Sequence, residues 1–365
     1  LIAELCPNGV KYVPLKQIAE VGTGSSDRVN AVDDGEYPFY VRSKNILRSN
    51  RYLFDEEAII IPGEGGIGDI FHYVNGKYDL HQRAYRIHLI DPNVNTKFTY
   101  YCLSANFKKF IIMKAVNATV TSIRKPMIEN FQIPLPPLAV QQEIVRILDK
   151  FTELTAELTA ELTARRKQYE YYRDLLLTFE GNPEVKWMAL GEVCDLFAGG
   201  DIPKDRYSKE KTDKYTIPIY SNGIGDKALY GYTDIAKIST LSVTISARGT
   251  IGYSILHKEP YYPIIRLICA IPKNIITAEY LYYAVQILKF KVPTSGIPQL
   301  TVPMVAKYKI PVPPLEEQER IVAILNRFDA LCNDLTSGLP AEIEARNKQY
   351  EYYRDKLLAF REATA

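Results

Sequence analysis

The segment Lys167-Gln168-Tyr169-Glu170-Tyr171-Tyr172-Arg173-Asp174 recurs letter for letter as Lys348-Gln349-Tyr350-Glu351-Tyr352-Tyr353-Arg354-Asp355, 181 positions further on. Eight identities in register mark a tandem duplication, and further matches extend it. Ile133-Pro134-Leu135-Pro136-Pro137-Leu138 corresponds to Ile310-Pro311-Val312-Pro313-Pro314-Leu315 at an offset of 177. At that offset Gln141, Ile144, Val145, Ile147, Leu148 and Phe151 meet Gln318, Ile321, Val322, Ile324, Leu325 and Phe328. The offset then grows by four between Phe328 and Lys348, about one helical turn. Upstream, Lys11-Tyr12 parallels Lys186-Trp187, Ile67-Gly68 parallels Ile251-Gly252, and Pro126-Met127 parallels Pro303-Met304. The period is far longer than that of a solenoid repeat. The chain therefore reads as variable, shared, variable and shared blocks, with boundaries at 1–132, 133–180, 181–309 and 310–365.

Each shared block opens on prolines, which keep the backbone extended before releasing a helix. In the first block Ile144, Leu148, Phe151, Leu154, Leu158 and Leu162 recur at three- and four-residue steps, one apolar stripe. No Pro or Gly intervenes from Leu138 to Phe179, so the pattern predicts a helix of roughly 60 Å. Ile321, Leu325, Phe328, Leu331 and Leu335 repeat the stripe, but Gly338 and Pro340 predict a break or kink in the second block. A lone helix of such length cannot bury its stripe, so an antiparallel pair is the economical solution. The variable blocks look mixed. Ala58–Pro62 and Leu241–Ser246 read as strands that end in glycine loops, and short helices are expected at Lys97–Lys114 and Ala278–Lys289.

A chain of 365 residues can hold two domains with real cores. The net charge of +2 gives weak support for nucleic-acid binding by itself. The five cysteines form no CxxC pair, which argues against a zinc site or a disulfide framework and suits a reducing cytoplasm. No apolar run is long enough for a membrane span, and no signal peptide is visible. Gly63-Glu64-Gly65-Gly66-Ile67-Gly68 formally satisfies GxGxxG, but Asp69–Val74 alternates like a strand where a dinucleotide site needs a helix. The corresponding Ala247–Gly252 lacks the pattern. No nucleophile–base arrangement, Walker signature or HExxH is present, and the four histidines are scattered. No catalytic, cofactor-binding or metal residue is expected.

Polar and basic side chains collect near the variable-block loops. The candidates are Arg42, Lys44, Asn45, Arg48, Gln82, Arg83, Arg124 and Lys125 in the first half, and Lys204, Arg206, Asn222, Lys227, Arg248, Arg266 and Gln299 in the second. Arg, Lys, Asn and Gln are the side chains that read base edges, and the basic ones also hold phosphates. A plain solvated surface is the competing reading for any one of them.

The proline-led IPLPPL…QQEI…IL stretch at Ile133–Leu148, its partner at Ile310–Leu325 and the two KQYEYYRD segments together resemble the specificity subunit of type I restriction–modification systems. Thr155-Ala156-Glu157-Leu158-Thr159-Ala160-Glu161-Leu162, two copies of TAEL, resembles the spacer repeat of the type IC subgroup. The resemblance implies an α+β chain: two α/β target recognition domains separated by a coiled-coil-like pair of long antiparallel helices, with a pseudo-twofold internal repeat. It implies a cytoplasmic, non-catalytic subunit in which each recognition domain reads half of a bipartite double-stranded DNA target. The helices would set the half-site spacing and dock two methyltransferase subunits. Restriction subunits would join the complex, and S-adenosylmethionine, ATP and Mg would belong to those partners. Two rivals from other classes are a methyltransferase with fused recognition domains and a protein–protein adaptor carrying two modules on a coiled coil.

Overall fold

The computed structural model describes residues 2–114, 122–179, 181–292, 296–334 and 336–363. The chain divides into two compact units, Leu1–Thr159 with Glu342–Ala365, and Ala160–Ala341. Each unit thus combines one variable block with helical segments from both shared blocks.

The first unit is built on a six-stranded sheet. Its order is Ala19–Thr23, Ala84–Leu89, Phe54–Pro62, His72–Leu80, Tyr37–Tyr40 and Leu47–Ser49. Alternation along Phe54–Pro62 sends Ile59 and Ile61 to one face, where Phe98, Leu103 and Phe107 of the helix Thr96–Lys114 cover them. Ala58 and Ile60 face the other way, into a cluster with Tyr40, Tyr78 and Leu80.

The second unit uses the same plan but divides the sheet. One sheet runs Cys194–Ala198, Leu267–Pro272, Ser242–Ser246, Ser254–His257. The other runs Tyr207–Ser208, Leu229–Thr233, Ile217–Tyr220, Tyr262–Pro263. The division has a local cause. Where the first unit has the unbroken strand His72–Leu80, the second has Lys258-Glu259-Pro260 between two shorter strands, and proline has no N–H to continue a ladder. Strand pairing is antiparallel except for Tyr37–Tyr40 with His72–Leu80 and Ile217–Tyr220 with Tyr262–Pro263. Each variable block is therefore itself α+β, which corrects the α/β expectation. Without βαβ crossovers there is no parallel sheet to build.

The first shared block forms one helix, Leu138–Leu177, of 40 residues. The second forms two helices, Leu315–Asn333 and Leu339–Leu357. Asp334 organises the turn between them by accepting from Thr336 N at 2.7 Å and from Ser337 Oγ at 2.6 Å. Pro340 stands in the first turn of the following helix, where its missing N–H costs little.

The recurring glutamine is a clamp. Gln141 is buried, accepts from Asn95 N at 2.8 Å and donates to Asn93 O at 3.0 Å and Pro136 O at 2.8 Å. Gln318 repeats this with Thr277 N at 2.9 Å, Ile275 O at 3.0 Å and Pro313 O at 2.9 Å. One side chain thus ties the proline segment, the helix start and the loop before the unit's own helix.

The repeated KQYEYYRD does one job twice, each time for the opposite variable block. In the first unit Tyr353 stacks on Phe151 with centroids 5.5 Å apart, and Tyr350 packs on the core. In the second, Tyr172 stacks on Phe328 at 5.7 Å, and Arg166 donates to Cys332 O at 3.5 Å. In those last two contacts one tract ascends while the other descends, so the helices run antiparallel within that unit.

Candidate nucleic-acid interface

A frame of main-chain hydrogen bonds stands at one end of each sheet. In the first unit Gly63 N donates to Arg83 O at 2.9 Å, Ile123 N to Gly63 O at 2.8 Å, and His81 N to Tyr40 O at 3.0 Å. In the second unit Ala247 N donates to Arg266 O at 2.8 Å, Leu300 N to Ala247 O at 2.8 Å, and Ile264 N to Tyr220 O at 3.0 Å. The bonds match one for one and equate Arg42 with Asn222, Glu64 with Arg248, Gln82 with Ile265 and Arg83 with Arg266. Glu64 and Arg248 stand at the crown of the two loops, and Gly65 and Gly249 follow them at φ 73° and 78°, a region that side chains with a Cβ rarely adopt. Gly68 and Gly252, the shared Ile-Gly glycines, sit at φ 71° and 84°.

In the first unit two guanidinium groups converge on one carboxylate. Arg42 Nη1 lies 3.0 Å from Glu64 Oε2, and Arg83 Nη1 lies 3.3 Å from both Glu64 oxygens. The hydrogen bond from Arg42 holds the Glu64 carboxyl below the usual carboxylate range. A cavity of about 420 Å³ opens beside it, lined in part by Arg28, Ser43, Asn45 and His81. His81 is buried and braces the adjoining turn. Its Nδ1 accepts from Arg83 N at 2.9 Å, which leaves Nε2 to donate to Asp27 Oδ1 at 3.3 Å. Gln82 Nε2 reaches the other oxygen of Asp27 at 3.3 Å.

In the second unit the crown is Arg248, and Asn222 Nδ2 grips its carbonyl at 2.6 Å. Arg266 is exposed and holds φ 77°, a strained conformation for a residue with a Cβ. Three exposed apolar side chains stand on the loops nearby in sequence: Ile224, Ile265 and Ile297.

The structure gathers most of the predicted residues at these frames. Arg42, Gln82, Arg83, Asn222, Arg248 and Arg266 belong to the frame loops themselves. Lys44 and Asn45 are exposed on the loop that follows Tyr40, Arg124 follows Ile123, Gln299 precedes Leu300, and Lys227 is exposed on the short helical turn after Asn222. Three residues have local partners instead. Arg48 donates to Gly35 O and Glu36 O, both at 2.8 Å, and so pins a loop. Lys125 pairs with Glu129 one turn along its helix at 3.5 Å. Arg206 pairs with Asp234 at 2.9 Å and lowers that carboxyl's pKa. Lys204 is exposed two residues before Arg206. Sequence reading missed Glu64 and Arg28. A search for basic and amide side chains passes over a carboxylate, and only its two arginine partners reveal it.

The GxGxxG stretch joins Phe54–Pro62 to His72–Leu80, with a turn at Asp69. A strand follows it, so no helix N-terminus faces the glycines. The expected alternation from Asp69 holds only from His72 onward. Among the described residues, no group of three or more His, Cys, Asp or Glu could hold a metal ion, and no helix is long and apolar enough to cross a membrane.

The model of the type I restriction modification DNA specificity domain matches the chain twice, over residues 7–165 and 182–345. The chain belongs to that family: it is a specificity subunit, the non-catalytic DNA-recognition component of a type I restriction–modification system. It is 36% identical over 324 residues to a chain from Mycoplasma pneumoniae assigned as a type I specificity subunit, covering 85% of this chain and 96% of that one. It is 38% identical over 267 residues to the EcoR124I/EcoR124II specificity subunit of Escherichia coli, covering 65% and 66% respectively. Among solved structures, the type I S subunit of M. genitalium aligns with a TM-score of 0.65 at 18% identity, covering 96% of both chains.

Proposed function

We propose that each unit reads one half of a bipartite double-stranded DNA target in the major groove, using side chains on its frame loops. The observation that carries this reading is a main-chain frame built twice with different side chains on it. Identical scaffolding suits a common partner, and unlike side chains suit two unlike half-sequences. Segments 1–132 and 181–309 are the recognition domains, and 133–180 and 310–365 are the shared helical regions of a pseudo-twofold repeat. The helix Leu138–Leu177, with its TAEL copies at Thr155–Leu162, acts as the spacer, as in the type IC subgroup. The helical regions dock two methyltransferase subunits, through which restriction subunits join.

Exchange of residues 13–130 for the first variable block of another family member tests the proposal. Mapping of methylated adenines should then show one altered half-site, with the other half-site and the gap unchanged. Alteration of both half-sites would refute independent reading. Insertion of one further TAEL after Leu162 lengthens the helix by about 6 Å and should widen the gap while sparing both half-sequences.

A further inference from the structure

The matched hydrogen bonds place Glu64 and Arg248 at the same point of the two frames, on the residue before the positive-φ glycine. Their chemistry is opposite. A carboxylate only accepts hydrogen bonds, and a guanidinium only donates them. By contrast, Arg83 and Arg266 are the same residue at equivalent points, so they suit a target feature common to both half-sites, such as a phosphate. The side chains of Glu64, Arg42 and Arg83 are 38%, 44% and 57% exposed, so the carboxylate is accessible although it is held by two arginines. That arrangement presents an acceptor flanked by donors beside a cavity of about 420 Å³.

We propose that this crown position fixes one base pair in each half-site. Glu64 accepts from the exocyclic amine of a cytosine, and Arg248 donates to O6 and N7 of a guanine. In the major groove the cytosine amine is a donor suited to a carboxylate, while O6 and N7 of guanine are a paired acceptor suited to a guanidinium. The two arginines at Glu64 serve two ends. They hold the carboxylate ionised and aimed, and they remain available to phosphate. The inference rests on the reading of the frames as the DNA-facing surface.

The test is methylome mapping in cells that carry the complete restriction–modification system with Glu64→Gln, Glu64→Arg or Arg248→Glu. Gln is nearly isosteric with Glu and both donates and accepts, so Glu64→Gln should relax the first half-site at a single G·C pair by roughly one to two orders of magnitude in preference. Glu64→Arg should invert the strand on which that pair carries guanine, and Arg248→Glu should change one pair of the second half-site only. An unchanged first half-site with methylation retained would overturn the proposal, because a mere brace for Arg42 and Arg83 would alter affinity and salt dependence without altering sequence. If Glu64→Gln abolishes methylation, Glu64→Asp must restore the wild-type sequence, and failure to do so also overturns it. A wild-type methylome without two unlike half-sites would instead sink the bipartite reading itself, so the two failures are distinct.

Discussion

In the first unit His72–Leu80 is one nine-residue strand, and a glutamate on the frame loop is held by two arginines. In the second unit a proline-bearing turn divides the sheet, and the frame loop carries an arginine. The hydrogen bonds from Gly63, Ile123 and His81 nevertheless have counterparts from Ala247, Leu300 and Ile264 within 0.1 Å. What the two units keep in common is main-chain geometry and the glutamine clamp. What they vary is strand continuity and the chemistry displayed at the frame. Divergence reaches even the continuity of the sheet, yet it leaves the frame's backbone bonds and the clamp in place.

The largest expected effect tests the sameness of the clamp. Gln141→Ala and Gln318→Ala each strand buried backbone groups and leave a cavity, and each should destabilise its own unit by about 2–4 kcal/mol. Trp187, the single tryptophan, lies in the second unit. Its fluorescence during urea unfolding should show a lower midpoint for Gln318→Ala, with Gln141→Ala affecting mainly a transition followed by circular dichroism. A midpoint unmoved by either change would remove the clamp from the shared frame.

Acidification should weaken the second unit through one buried histidine, as burial of His72 lowers a pKa in the first. His257 stacks on Tyr261 with centroids 3.9 Å apart and hydrogen-bonds Thr244 Oγ1 at 2.8 Å. Burial lowers its pKa from 6.5 to about 4. The unfolded chain binds this proton more readily, so the second unit should be most stable above pH 6.5. It should lose up to about 3 kcal/mol as pH falls from 6.5 through 4. His257→Gln should flatten the pH dependence of the Trp187 transition in that window, and a dependence that persists unchanged would assign it to other groups.

The paired arginines offer a finer measurement. Arg83→Ala and Arg266→Ala should each weaken DNA binding by the methyltransferase complex by about 1–2 kcal/mol and reduce the salt slope by about 1, with both half-sequences unchanged. A sequence change from either would show that the common arginine reads bases. The smallest effect concerns strain. Arg266 holds φ 77° with a Cβ, so Arg266→Gly should leave the second unit unchanged or raise its stability by about 1 kcal/mol while it loses the arginine's contribution to affinity. Thermal unfolding would detect a loss of stability, the opposite result.

Much of the architecture was legible in the residues. The unbroken stripe from Ile144 to Leu162 marked the 40-residue helix, and Gly338 with Pro340 marked the interruption of its counterpart. The repeated Ile-Gly and Gln were visible as matches, although their roles as a left-handed turn and a clamp needed coordinates. The α/β expectation failed because alternating apolar residues reveal a strand without revealing its neighbour's direction. At the candidate site, composition identified exposed arginines but could not separate Arg83, on the frame, from Arg48, spent on two carbonyls. The aligned Ile-Gly pairs already set Glu64 opposite Arg248. The equivalence of Arg42 with Asn222 was hidden because the side chains differ, and backbone bonds, which are blind to residue type, disclose it.

A scaffold held by peptide groups makes few demands on the letters displayed at its rim. Replacement of Glu64, Gln82, Arg248 or Ile265 removes none of the six bonds that define the frames. If the frames read DNA as proposed, such a subunit would change target through substitutions that leave those six bonds in place, so its repertoire would be bounded more by the methylation sites its bearer tolerates than by the strength of the fold.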